Sequence, residues 1–145
     1  MSTVIRPEIS KRSPWYISKH RYYELKHFCL QYPEWQQNVR DLIRYGKTSE
    51  IVRTNITEWL DPVGDTACLI SYYQDQIAMV NFAAKEADAQ LWNYIVKAVT
   101  QDLSFTALKM IHNIPCGKDM YYDRYRKFFY ILDAKKTTLY IGREE

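Results

Sequence analysis

Residues 104–132 have the sequence SFTALKMIHNIPCGKDMYYDRYRKFFYIL, which predicts two short helices joined by a tight break. The first helix is expected from about Asp102 to His112, with Ser104 as a candidate cap. Its apolar residues recur at three- and four-residue intervals and would form one stripe: Leu103, Ala107, Leu108 and Ile111. Because the whole chain has only four Gly and five Pro in 145 residues, we expect an all-α protein rather than a sheet protein, which needs more turn residues.

The break between the two helices lies at residues 113–117. Asn113 adopts a left-handed conformation more easily than most residues, and Pro115 prevents the residue before it from continuing a helix. Ile114 between them is a natural hydrophobic plug for the turn. A second helix is then expected to begin near Lys118.

The second helix has two chemically different sides when its residues are placed at 3.6 per turn. The side predicted to face inward contains Tyr121, Arg124, Tyr125, Phe128 and Leu132. The outward side contains Asp119, Tyr122, Asp123, Arg126 and Lys127. Aromatic residues among basic ones could also stack on single-stranded bases, but this spacing leaves only Tyr122 to reach a nucleic acid.

Two interpretations fit this pattern. A helix-turn-helix needs one helix that packs, a turn, and a second helix rich in hydrogen-bonding and cationic side chains, so the segment predicts DNA binding. Two amphipathic helices with a proline between them are also common in any helical bundle, where a charged face is simply solvated. Periodicity alone does not separate these interpretations.

The same residues resemble a known family. The run DMYYDRYRKFFYIL after NIPCGK, preceded by ADAQLWNYIVKAVTQDLSFTALKMI and far upstream by QYPEW, resembles the RinA/ArpU type of small phage-encoded transcriptional activators. These proteins look like a lone copy of the promoter-reading C-terminal domain of bacterial sigma factors. The resemblance covers about Tyr32 to Lys136 and is specific from about Ala87 to Leu132.

The resemblance implies a sigma-like helix-turn-helix that binds double-stranded DNA and activates phage late genes from a prophage, in the bacterial cytoplasm. Residues 104–113 would be the supporting helix and residues 118–133 the recognition helix in the major groove. A typical member has a Ser or Thr cap after the Ile, whereas this chain has Pro115, Cys116 and Gly117, so the start of the recognition helix is open by a residue or two.

Combining the helix faces with the resemblance gives the expected DNA-binding residues. Lys118, Tyr122, Arg126 and Lys127 would contact DNA, and Asp119 and Asp123 would accept from a cytosine amino group or reject other bases. Arg124, at the edge of the buried side, would clamp a phosphate. Another face would contact RNA polymerase.

Charge is unevenly distributed along the chain, whose net charge is only +3. Residues 1–30 have six Lys or Arg against two acidic residues, residues 31–108 have six against ten, and residues 109–145 have eight against five. A weakly basic protein neutralises few phosphates, which predicts modest affinity as a monomer and favours a dimer or a partner protein.

The organisation predicted along the chain has four parts. Residues 1–17 would be a flexible basic arm, and residues 18–63 an N-terminal helical region with a hairpin of helices at about 18–32 and 33–45. Residues 64–136 would comprise a long linking helix and the three-helix DNA-binding unit, beginning with a helix from Asp88 to Gln101. Residues 137–145 would be an extended or disordered tail.

The linking helix has a heptad-like seam of apolar residues. Its members are Ile70, Tyr73, Ile77, Val80, Ala84, Ala87, Leu91, Tyr94 and Ala98. The seam could pair with a second copy to form a homodimer, or it could pack within one chain. We favour packing within the chain, because Asp88 could cap a new helix and interrupt the seam.

Cysteine, histidine and hydropathy patterns predict no metal, no cofactor and no membrane segment. Three cysteines are far apart in sequence, and three histidines lack the convergent spacing of a zinc site. No catalytic constellation or glycine-rich phosphate loop is recognisable, so an enzyme is the least expected class. The alternatives to a regulator are a small-terminase-like packaging protein that forms a ring, and a helical protein-interaction module that does not bind DNA.

Overall fold

The computed structural model describes residues 13–45 and 64–144, and most of them are helical. They form six helices: α1 Lys19–Leu30, α2 Tyr32–Tyr45, α3 Gly64–Ala87, α4 Trp92–Gln101, α5 Phe105–His112 and α6 Lys118–Glu144. These residues include no β-strand, in agreement with the predicted all-α class. None of the six helices is long and apolar enough to cross a membrane.

The chain divides into two compact units. The larger one comprises Met1–Leu30 and Met79–Glu145, and the smaller one Gln31–Ala78. The predicted boundary near residue 64 differs from this division, because α1 packs against α4 and α6 and so belongs with the C-terminal helices. Pairing of α1 with α2 in an N-terminal hairpin stays a prediction.

The larger unit has a core rich in aromatic side chains. α1 packs against α4 and α6, and α4 packs against α5. Fully buried side chains from these helices include Leu25, Ile95, Leu108, Tyr121, Phe128, Phe129 and Leu132. At the rim, an ion pair of 2.6 Å joins Arg21 Nε of α1 to Asp133 Oδ1 of α6. α6 is therefore held along its middle by α1.

The smaller unit contains α2 and the first part of α3. Trp35 and Leu42, seven residues apart, lie on the same side of α2 and are buried. Ile43, one residue further along, is 65% exposed. One further residue rotates the side chain by about 100°, which is enough to leave the buried stripe.

The junction between α3 and α4 interrupts the predicted seam. α3 ends at Ala87, and Asp88 Oδ1 accepts from the backbone N–H groups of Gln90 and Leu91, each at 2.8 Å. α4 begins at Trp92, four residues later than predicted, because residues 89–91 form a turn. The expectation that Asp88 interrupts the seam is confirmed.

The described end of the predicted N-terminal arm is packed rather than flexible. The ring of Trp15 lies 5.5 Å from that of Tyr130 on α6, and Ile17 is buried. Two large apolar side chains within three residues explain the difference, since their burial offsets the entropy of ordering a short segment. Residues 1–12 of the predicted arm and residues 46–63 of the predicted N-terminal helical region lie outside the described residues.

α6 is eleven residues longer than the recognition helix predicted to end at Asp133. It continues to Glu144, where an extended or disordered tail was predicted from residue 137. Residues 133–141 contain neither Pro nor Gly, so nothing in the sequence stops the helix there. Lys135 and Lys136 lie within this helix.

Candidate DNA-binding surface

The helix that would support the DNA-reading helix begins at a side-chain cap. Ser104 has extended backbone, and its hydroxyl accepts from the N–H of Ala107 at 3.2 Å. α5 therefore begins at Phe105, three residues after the predicted Asp102. Asp102 ends α4 in a left-handed conformation (φ 55°), with the N–H of Leu103 donating to the carbonyl of Ala98.

The turn after α5 has the left-handed Asn113 and the buried Ile114 that were predicted for it. Asn113 is left-handed (φ 52°), Ile114 is fully buried, and the N–H of Ile114 approaches the carbonyl of Leu108 at 3.4 Å. Lys109 Nζ donates to the carbonyl of Ile114 at 3.2 Å, which satisfies a polar group that the turn leaves unpaired. The turn is thus fixed by a backbone conformation, an apolar anchor and a cation.

Ile111 does not belong to the buried stripe predicted for α5. It is 68% exposed, and its neighbour Met110 is 81% exposed. The position beside Leu108 is taken by Ile114 of the turn, so the last turn of α5 has no core to bury Ile111. Met120 near the start of α6 is also exposed.

α6 begins at Lys118, as predicted, and its first three residues are open to solvent. Lys118 and Asp119 are both exposed. The carboxylate of Asp119 lies in the first helical turn, where the partial positive charge of the helix N-terminus stabilises an acidic side chain. These two residues present opposite charges at the end of the helix.

The inner side of α6 is confirmed for Tyr121, Phe128 and Leu132, which are fully buried. Tyr125 joins them, with its hydroxyl 2.8 Å from that of Tyr22 on α1. Burial raises the pKa of Tyr125 well above its ordinary value, and the neighbouring Tyr22 raises it further. The hydroxyl of Tyr121 is buried and has no hydrogen-bond partner among the described residues.

The prediction that Tyr122 faces outward is wrong. Its side chain is only 9% exposed, and its hydroxyl accepts from the N–H of Phe105 at 3.4 Å. Its ring also packs at 4.9 Å against that of Tyr121. The first turn of α6 packs beside the start of α5, so the buried arc is wider there than a single stripe. Sequence periodicity could not show this, since it depends on the crossing of two helices.

Arg124 is engaged within the protein. Its Nε donates to Asp88 Oδ2 at 3.2 Å, and its Nη1 donates to Asp123 Oδ2 at 3.1 Å. The side chain of Arg124 is 33% exposed, whereas that of Asp88 is 13% exposed. Arg124 thus forms an intramolecular ion pair, and its predicted contact with a phosphate stays a prediction. Sequence reasoning missed Asp88 as its partner because the two lie 36 positions apart.

The remaining predicted contacts differ in how available they are. Lys127 Nζ lies 5.3 Å from the ring centre of Trp15, and Asp123 is half-exposed beside Arg124. Arg126 is partly exposed and forms no ion pair with any other residue in the described ranges. Lys118 and Arg126 are thus the cations of the predicted set with no partner inside the described protein.

The C-terminal part of α6 shows why a count of lysines and arginines overstates the positive charge open to a partner. Lys135 Nζ lies 4.4 Å from the ring centre of Phe82, and Lys136 Nζ lies 3.7 Å from that of Phe28. Burial lowers the pKa of Lys136, and the nearby charge of Arg21 lowers it further. Both lysines stabilise the packing of α6 on its neighbours rather than adding open positive charge.

Metal-ligating and nucleophilic residues do not cluster in residues 13–45 or 64–144. No three of their His, Cys, Asp or Glu side chains are grouped so that they could hold a metal ion. Cys29 is buried, which raises the pKa of its thiol, while Cys68 is exposed and Cys116 partly exposed. The described side chains around the turn are thus cations, carboxylates and apolar groups, which can contact a binding partner.

Comparison of the chain with protein-family models, with curated proteins and with solved structures finds no match. The α5–α6 turn, the first turn of α6 and Arg126 form one candidate binding surface. We refer to it below as the α6 surface.

Proposed function

We propose that the protein is a sequence-specific DNA-binding transcriptional regulator that uses α5 and α6 as a helix-turn-helix. The observation that supports this most is the α5–α6 connection: a capped first helix, a left-handed Asn113, a buried Ile114 and a new helix at Lys118. A connection of this kind projects the start of the second helix away from the core, as DNA reading requires.

The residues proposed to contact DNA are fewer than the sequence suggested. Lys118 and Arg126 would neutralise phosphates or donate to guanine, and Asp119 and Asp123 would accept from a cytosine amino group. Tyr122, Arg124 and Lys127 are left out, because each already contacts another part of the protein. With so few open cations, we expect modest affinity, so a homodimer or a partner would increase occupancy.

The activating role in phage late transcription rests on the resemblance to RinA/ArpU-type activators. An activator must also contact the transcription machinery, and RNA polymerase is the proposed partner. Exposed Met110 and Ile111 on α5 are apolar groups available for such a contact. A prophage-encoded regulator would act in the bacterial cytoplasm.

A protein-interaction module without DNA binding is the second candidate, and the same two exposed apolar residues favour it. The third, a ring-forming packaging protein, depended on a continuous heptad-like seam. The break between α3 and α4 removes that seam as a single helical surface.

Selection of bound DNA from a random double-stranded pool tests the proposal. The full chain should enrich a defined motif, and a Lys118→Gln/Arg126→Gln double variant should not. The matched control is Lys135→Gln/Lys136→Gln, which removes the same charge from α6 but leaves the α6 surface intact, and it should enrich the wild-type motif. Enrichment of no motif by the folded wild-type chain would contradict the proposal, and a stable ring of many copies in solution would favour the packaging alternative.

A further inference from the structure

Asp88 lies where three parts of the larger unit meet. One carboxylate oxygen holds the turn between α3 and α4, through the N–H groups of Gln90 and Leu91. The other accepts from the guanidinium of Arg124 on α6. One side chain therefore joins the entrance of α4 to the second turn of α6.

The same carboxylate is also close to the α5–α6 turn. Burial raises the pKa of the Cys116 thiol, the positive charge of Lys109 lowers it, and the negative charge of Asp88 raises it. Asp88 is thus near enough to Cys116, at the C-terminal end of the turn, to interact with it electrostatically. Its low exposure, 13%, reduces screening by solvent, so the ion pair with Arg124 is stronger than one at a fully exposed site.

We propose that Asp88 is a positioning residue for the α6 surface: through Arg124 it fixes the orientation in which α6 presents Lys118, Asp119 and Arg126. This inference rests on the proposed DNA-binding function, and it adds a residue from outside the helix-turn-helix. Arg124 then acts through Asp88 and does not neutralise a DNA phosphate.

The two roles of Asp88 can be separated by substitution. Asp88→Ser keeps an oxygen that can cap the turn, because serine and aspartate are similar N-caps. The serine side chain is too short to reach Arg124. Asp88→Asn keeps both the cap and the reach but loses the charge. Arg124→Gln removes the other half of the pair, and Arg126→Gln is the matched control on the same helix.

The readout is the dissociation constant for the selected DNA over a range of salt concentrations. Asp88→Ser and Arg124→Gln should each weaken binding by on the order of fivefold with an unchanged salt slope, and the double variant should be no weaker than either one. Asp88→Asn should recover part of the loss. Arg126→Gln should instead lower the salt slope by about one.

Two results would overturn the inference. A salt slope lowered by about one in Arg124→Gln would show that Arg124 neutralises a phosphate. Additive losses in the double variant would show that Asp88 and Arg124 act separately.

Amide hydrogen exchange of the free protein keeps the inference distinct from the proposed function. If the wild-type chain bound no DNA, the function would fail, but Asp88→Ser should still speed exchange in the first two turns of α6 relative to Asp88→Asn. Unchanged exchange in that segment would remove the positioning role as well.

Discussion

The two sides of α6 contain similar types of residue, but on one side they are buried or in contact with other helices and on the other they are exposed to solvent. The inner side buries Tyr121, Phe128 and Phe129 in the core of the larger unit, while Lys118, Asp119 and Arg126 are exposed or partly exposed. Lysines follow the same division, since Lys136 lies over the ring of Phe28 whereas Lys118 is exposed. Residue type alone therefore does not tell which tyrosines and lysines are available to a partner.

The comparison also separates stability from binding. Residues on the inner side pack in the core of the larger unit, so truncating a buried apolar side chain there should lower the stability of the protein. Residues on the outer side contact little, so their loss should change binding and leave the fold intact. Four experiments can break or sharpen this division.

Phe128→Ala should have the largest effect. The ring is fully buried and packs 4.9 Å from that of Phe129, so truncation should lower the free energy of unfolding by about 3–5 kcal/mol. Met110→Ala on the exposed face of α5 should change it by less than about 0.5 kcal/mol. Denaturant titration measures both, and equal losses would contradict the division into an inner and an outer side.

Alkaline pH should destabilise the protein through its buried tyrosines. Burial raises the pKa of Tyr121 and Tyr125 above the ordinary value of 10.0, so both are neutral in the folded chain when the unfolded chain ionises. The contribution of these tyrosines to the free energy of unfolding is fully present below pH 10. Above pH 10 it falls by about 1.4 kcal/mol per pH unit for each tyrosine. Lys136, whose pKa is lowered, acts in the opposite direction, but it is partly solvated and should offset less.

Unfolding free energies measured from pH 8 to pH 11.5 check this expectation. A Tyr121→Phe/Tyr125→Phe double variant should show a much shallower decline above pH 10. If the variant and the wild-type chain declined equally, the tyrosines of the inner side would not be the groups responsible.

DNA binding should distinguish the cations of the two sides. Lys118→Gln and Arg126→Gln should each weaken binding by about tenfold and lower the salt slope by about one, because each removes an open positive charge. Lys135→Gln and Lys136→Gln should leave the salt slope unchanged, since these lysines lie over aromatic rings. A fluorescence titration at several salt concentrations measures the slope, and equal slopes for all four variants would remove the distinction.

The smallest expected change in stability distinguishes Tyr121 from Tyr125, both on the inner side of α6. Tyr125→Phe removes a hydroxyl that is hydrogen-bonded to Tyr22 and should cost about 1 kcal/mol of stability. Tyr121→Phe removes a buried hydroxyl without a partner, so it should be neutral or stabilise the protein by up to about 1 kcal/mol. Thermal unfolding of both variants checks the sign, and a clear loss in Tyr121→Phe would show that its hydroxyl is satisfied.

Local features of the chain were predictable because their causes are local. Ser104, Asn113 and Lys118 have the cap, left-handed and helix-start roles that their residue types and spacing indicated. Each depends on a few neighbouring residues, as capping and backbone preference do. The helical class followed for the same reason.

The candidate surface was predictable only in part, because availability depends on distant partners. Tyr122 is buried by the crossing of α5 and α6, and Arg124 is bound by a carboxylate from the α3–α4 junction. Helical periodicity describes one helix at a time, so it could not show that both residues contact other parts of the protein. Ile111 shows the opposite error: it was predicted to be buried, but it is exposed, and Ile114 of the turn is buried instead.

By itself, the sequence determined that this chain is helical, that α5 and α6 meet at a tight capped turn, and which types of side chain surround that turn. Only the tertiary structure decided which of them are open: Lys118 and Arg126 are available, while Tyr122, Arg124, Lys135 and Lys136 are engaged. The physical reason is range. Caps and turns form within a few residues, whereas burial and ion pairing join helices that are far apart in the chain.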